Sequence, residues 1–188
     1  MQQELVLAGR SGGAVLRRAA AVVLGAALVA AAAQIAIPLP GTPVPMTLQP
    51  LAVLMVGGLL GRWLGASSLL VYLALGAAGL PVFTPVGLPG IARLIGPTGG
   101  YLLAYPVAAF AVGALAGDGA RTARLALAAL VGIVLIHLGG LAQLLLLTGS
   151  VGGALRLGTL PFLVGDLIKV AVAVLVLKPT VSPLRARL

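Results

Sequence analysis

The sequence predicts an all-α integral membrane protein: a bundle of about six transmembrane helices joined by irregular Pro- and Gly-rich outer loops. Three observations predict it. First, 61% of the 188 residues are hydrophobic and 8% charged, against about half and a quarter in soluble domains. That leaves too little polar surface to cover a water-soluble globule. Second, backbone inside a bilayer must satisfy its own hydrogen bonds, which leaves helices or a closed barrel. Barrel strands alternate with period two, and stretches such as 125–134, LALAALVGIV, do not. Third, Ala, Leu, Val and Gly dominate, the small and apolar residues that let helices approach closely in lipid.

The elements follow in chain order as a single membrane domain, 1–188. Residues 1–18 are a polar, basic lead containing Glu4. Arg17 and Arg18 precede a first span at 19–37, long enough to cross rather than to serve as a cleavable signal. The charge-free run IPLPGTPVPMTLQP ending at Pro50 cannot be a regular helix, because proline fixes φ and removes a donor. The apolar stretch that follows, interrupted by Arg62 and Trp63, reads as two short spans at 48–61 and 64–80. An irregular stretch at 81–100 leads to a span at 99–117. A charged turn around Asp118 precedes the span 124–147, which holds the lone histidine, His137. A Gly-rich loop at 148–157, a last span at 158–177 and a basic tail from Lys178 complete the chain.

Charge placement decides the number of spans. With a turn at Arg62, both termini are cytoplasmic. The cytoplasmic side then holds Arg10, Arg17, Arg18, Arg62, Arg121, Arg124, Lys178, Arg185 and Arg187. Only Arg93 and Arg156 fall outside. One long helix in place of two divides the cations evenly and strands Arg62 in lipid, against the positive-inside rule. The net charge of +9 is thereby membrane flanking, not a nucleic-acid footprint. Small residues recur at spacing four: Gly57, Gly61 and Gly65; Gly113 and Gly117; Ala26 and Ala30; Ala27 and Ala31. Such spacing puts small residues on one helix face, where another helix can approach.

Several chemistries are excluded. The chain has no cysteine and therefore no thiolate or Cys-based metal site. It has no Walker A, HExxH or GxSxG pattern. Only Glu4, Asp118 and Asp166 are acidic, too few within the membrane to build a metal-dependent transferase. No cofactor or metal is expected. The positive signal is Asp166 and Lys169 in GDLIKV, at i and i+3 on one helix face. Ionisable groups at membrane depth are costly and mark functional sites by default; the competing readings are a packing ion pair and a proton relay. Arg93, in the outer loop 81–100, has the guanidinium fork that suits a carboxylate, or is a solvated loop cation. Gln49 borders the first Pro-rich loop. Tyr101 and Tyr105 open the fourth span one turn apart, where interfacial anchoring is the alternative. His137 reads as a helix-to-helix hydrogen bond.

Four runs carry a resemblance over residues 20–178: IPLPGTPVPMTLQPLAVLMVGGLLG ending at Gly61, YLALGAAGLPVF at 72–83, GPTGGYLLAYPVAAF at 96–110 and GDLIKV at 165–170. Together they resemble the BioY family, the biotin-binding S-components of energy-coupling factor (ECF) transporters. The resemblance implies a six-helix bundle whose outer loops cover a biotin pocket. It implies partnership with a transmembrane protein, EcfT or BioN, and with ABC-type ATPases, EcfA or BioM, so that ATP is used by partner subunits only. It implies that Ala26, Ala27, Ala30 and Ala31 form the docking face for EcfT, and that the S-component topples in the membrane to release its cargo. Biotin needs an acceptor for its ureido N–H groups, a donor for its carbonyl, apolar walls and a cation. Asp166, Lys169, the Leu- and Val-rich spans and Arg93 match that demand, with Gln49, Tyr101 and Tyr105 completing the expected site. Within the same class, an S-component for another vitamin such as thiamin or riboflavin is the nearest alternative; their large aromatic rings are mildly disfavoured by a chain with one Trp, three Tyr and three Phe. A self-sufficient ion- or proton-coupled carrier using Asp166, and a membrane enzyme, are the alternatives from other classes. The expected location is a bacterial or archaeal cell membrane.

Overall fold

A computed structural model describes the backbone of residues 2–188 and the side chains from residue 12 onward. The side chains of Glu4 and Arg10 lie outside the described set. Helix α1 (Gln2–Gln34) leads into a two-stranded antiparallel ribbon, β1 (Ala36–Ile37) with β2 (Met46–Thr47), in register Ala36↔Thr47. The first span therefore ends at Gln34 rather than 37. The prolines that follow cannot extend a helix, and Gln34 Nε2 donates to Ala30 O at 3.1 Å, covering a carbonyl in the last turn.

Helix α2 (Gln49–Ala77) carries Pro50 in its first turn and breaks at Gly61, where φ is 79° and ψ 178°. A positive φ is open to glycine at no steric cost. The break is a reversal of direction. Gln49 bonds Tyr72, 23 residues on; in a straight helix they would be roughly 34 Å apart at 1.5 Å per residue. A Cβ placed on Gly65 would sit 3.0 Å from Gly57 Cα. The stretch is thus two helical segments folded back on each other, and the Gly57/Gly61/Gly65 spacing acquires a different meaning. Those glycines are not one helix face: Gly61 is the hinge, and Gly57 and Gly65 meet across it. Likewise Gly113 packs on backbone at Gly61 and Arg62, whereas Gly117 (φ +61°) lies beyond its helix and turns the chain.

Helix α3 (Ala92–Ile95) is one turn inside the segment expected to be irregular, and α4 (Gly99–Leu115) and α5 (Thr122–Thr148) match their spans closely. Gly100 and Gly139 let the backbones of α4 and α5 touch. The loop expected at 148–157 is instead a short helix, α6 (Val151–Gly158), because Ser150 caps it, accepting from Gly153 N–H at 3.2 Å. A 3₁₀ turn (Leu160–Phe162) leads into α7 (Leu163–Arg185). The last long helix therefore begins at 163, not 158, and it runs through Pro179 and Pro183 into the expected tail.

Arg185 explains that extension. Its guanidinium donates to Gly58 O, to Gly117 O at 2.6 Å and to Gly113 O at 3.3 Å. Gly58 O is a carbonyl that the break at Gly61 removes from the helical ladder. One arginine thus ties the α2 reversal, the end of α4 and the end of α7. Among the described residues, four stretches are long and apolar enough to cross a membrane: Gly12–Gln34, Gln49–Ala77, Thr122–Thr148 and Val151–Arg185; Gly99–Leu115 is a shorter apolar helix. Their outward faces carry bare apolar side chains, such as Leu146 at 84% and Leu175 at 73% exposure. Lipid is the solvent that makes such a surface stable.

Candidate functional site

The end of the bundle opposite Arg185 holds the α1–α2 loop, the 78–98 loop and the α6 connection. Beneath them lies a cavity that opens to solvent between the loops, with about 600 Å³ of non-atom space when the open mouth is counted. Its walls come from the α1–α2 loop and the start of α2, the 78–98 loop, α4, α5, the 3₁₀ turn and the start of α7. Val44, Pro45 and Phe83 belong to the loops, Tyr101, Leu102 and Tyr105 to α4, and Ile133, Ile136 and His137 to α5.

Asp166 and Lys169 line it together, each nearly buried, with Lys169 Nζ donating to Asp166 Oδ1 at 2.8 Å. They sit less deep than the expected span implied. Because α7 begins at Leu163, Asp166 is in its first turn, where the positive end of the helix dipole favours a carboxylate. Asp166 also meets α5: His137 Nε2 lies 2.7 Å from Oδ2. The sequence reading of His137 as a helix-to-helix hydrogen bond is correct as far as it goes, but it omitted the residue from the site. The histidine lines the cavity.

A second polar group faces it across the walls. Gln49 Nε2 donates to the Tyr72 hydroxyl, and Thr47 Oγ1 donates to Gln49 Oε1 at 3.2 Å. The α2 reversal makes this pair possible. Tyr101 and Tyr105 are not interfacial anchors, being 8% and 3% exposed. The Tyr101 hydroxyl donates to Gly158 O at 2.6 Å, and its ring fits against Gly140, where any side chain would collide. Tyr105 forms no hydrogen bond to another described residue. No buried side-chain polar atom among the described residues lacks a partner, so its hydroxyl opens on the cavity.

Arg93 is buried, not solvated, and it borders the cavity. Its guanidinium is largely engaged by its own loop: Nε donates to Leu88 O at 2.7 Å, and the terminal nitrogens to Thr84 Oγ1 and Thr84 O at 2.8 Å each and to Val86 O. Four of five N–H donors are thereby engaged. Burial lowers its pKa from the usual value, an effect opposed by the nearby Tyr72, yet arginine stays charged in proteins. Gly87 permits this wrap: its φ is +105°, and a Cβ there would meet the guanidinium.

The alanine face divides. Ala26 is 3% exposed and packs in the core with Val29, and Ala30 is half-buried against it. Ala26 is therefore unavailable to a partner, because α1 turns it onto α2. Ala27 and Ala31 are exposed. Sequence reasoning also missed Thr47, Tyr72 and Thr98. The polar side chain in TPVPMTLQ and the threonine of GPTGGY were visible signals for the first and last.

The site is an apolar chamber with a buried cation–carboxylate pair, a facing amide and a free phenol. It suits a small ligand with a polar head that both donates and accepts, on an apolar body. A sequence model described as the BioY family matches residues 2–186. A protein of Pyrococcus horikoshii named "Probable biotin transporter BioY" is 43% identical over 155 residues, covering 82% of this chain and 90% of that one. The "Biotin transporter BioY" of Thermotoga maritima is 37% identical over 150 residues, covering 80% and 87%. A crystal structure of "the S-component for biotin from an ECF-type ABC transporter" superposes with a TM-score of 0.81 at 27% identity, covering 89% of this chain and 92% of that one. The chain is a membrane-embedded member of the BioY family.

Proposed function

We propose that this protein captures biotin at the outer face of a bacterial or archaeal cell membrane, as the S-component of an ECF-type ABC importer. The observation that carries the reading is the buried Asp166–Lys169 pair in the wall of an apolar cavity. A buried ion pair is a weak source of stability, and a polar-headed ligand gives it a purpose. Asp166 accepts from the ureido N–H groups, and Lys169, with two donors left, holds the ureido carbonyl. The remaining N–H of Arg93 meets the carboxylate at the loop end. Gln49, Tyr101 and Tyr105 complete the polar and aromatic lining.

The exposed Ala27 and Ala31 offer a flat helix face to an EcfT- or BioN-like membrane partner, and ATPases of the EcfA or BioM kind supply the energy. Both termini lie in the cytoplasm, on the Arg185 side. Titration of the purified protein against a vitamin panel tests the reading. Biotin should bind one to one and riboflavin and thiamin should not. Binding of either of those in place of biotin would overturn it.

A further inference from the structure

The assignment of biotin to Asp166 leaves open how that carboxylate is aimed. A carboxylate held by Lys169 alone is held from its own helix, three residues on, by a flexible stem. His137 supplies the second hold, from α5. The two bonds bracket the group: Lys169 Nζ on Oδ1 at 2.8 Å and His137 Nε2 on Oδ2 at 2.7 Å. An ionised carboxylate only accepts, so Nε2 must carry the proton. In the neutral ring Nδ1 is then an acceptor, and Thr159 Oγ1 stands 3.4 Å from it. The imidazole has little freedom to turn. Tyr101 packs edge-on at 6.0 Å between centroids and Phe162 lies tilted at 6.5 Å, with Tyr101 itself fixed to Gly158.

We propose that His137 is a positioning residue for ligand capture, acting through Asp166: it fixes the plane of the carboxylate so that the remaining lone pairs face the cavity. The inference rests on the functional reading above and deepens it. A histidine that merely glues α5 to α7 would affect folding and leave the affinity of the folded protein alone. A positioning histidine affects the affinity, and only while Asp166 can accept.

A double-mutant cycle on biotin affinity separates the two. By calorimetry on variants that stay monodisperse in detergent, His137→Leu should weaken binding about tenfold, a coupling typical of residues in one network. His137→Gln, which keeps an N–H donor, should recover to within about threefold of wild type. Added to Asp166→Asn, His137→Leu should cost nothing further, because the carboxylate it aims is gone. If His137→Leu binds normally, or its loss simply adds to that of Asp166→Asn, the positioning role is overturned while the biotin site stands. If the wild type itself fails to bind biotin, the functional reading falls with it.

Discussion

The two ends of the bundle use the same side chain in opposite ways. At one end Arg185 joins α7 to carbonyls of α2 and α4, so that separate helices are tied to one another. At the other end Arg93 bonds Thr84, Val86 and Leu88 within its own loop. The covers there are tied to their neighbours by separate side chains, not by one: Thr42 to Leu157 O at 2.6 Å, Gln34 to Phe83 O at 3.2 Å, Tyr101 to Gly158 O at 2.6 Å, and Gln143 to Ile95 O at 2.8 Å and Gly96 O at 3.3 Å. One end is therefore a weld and the other a set of individually shaped covers. Contacts made by separate side chains can open locally and one at a time, and a ligand entering between the covers would leave the weld intact.

Breaking the weld should have the largest effect. Arg185→Ala leaves three carbonyls, one at the α2 break and two at the end of α4, without their charged donor and should lower stability by about 3 kcal/mol or more, read as a fall in melting temperature in detergent. Biotin affinity of the remaining folded protein should stay within about threefold. A large affinity loss with unchanged melting would invert the comparison.

The site comes next. Asp166→Asn and Lys169→Met should each weaken biotin by about 2 kcal/mol or more, since each strands a buried polar partner. Unchanged calorimetric affinity in both would make the pair structural. Arg93 sharpens the contrast between loop shaping and direct contact. Arg93→Ala should weaken biotin and its uncharged amide alike through the loop, with about 1 kcal/mol more for biotin through the carboxylate. Equal losses would assign Arg93 wholly to the loop. The smallest effect belongs to one cover's latch: Thr42→Val should cost about 1 kcal/mol, seen as roughly fivefold faster biotin release in stopped flow.

Much of this was legible in the sequence. Nine cations on one side of six spans called for a reversal at Arg62, and Gly61 supplies it one residue earlier. Asp166 and Lys169 stood out because charge in an apolar helix needs a reason. What stayed hidden depended on contacts between distant residues. Gln49 meets Tyr72 only once α2 folds back. His137 becomes part of the site only when α5 lies beside the first turn of α7. Arg185 read as an ordinary flanking cation, since nothing local marks the carbonyls it closes. Ala26 and Ala27 are adjacent and chemically identical, and only the rotation of α1 sends one inward and the other out.

Hydrogen–deuterium exchange with and without saturating biotin tests the contrast most directly. Protection on binding should rise at residues 39–48 and 82–98 and in the first turn of α7, and stay unchanged around Gly58–Arg62 and Gly113–Gly119. Equal protection at both ends, or protection confined to the Arg185 end, would contradict the account.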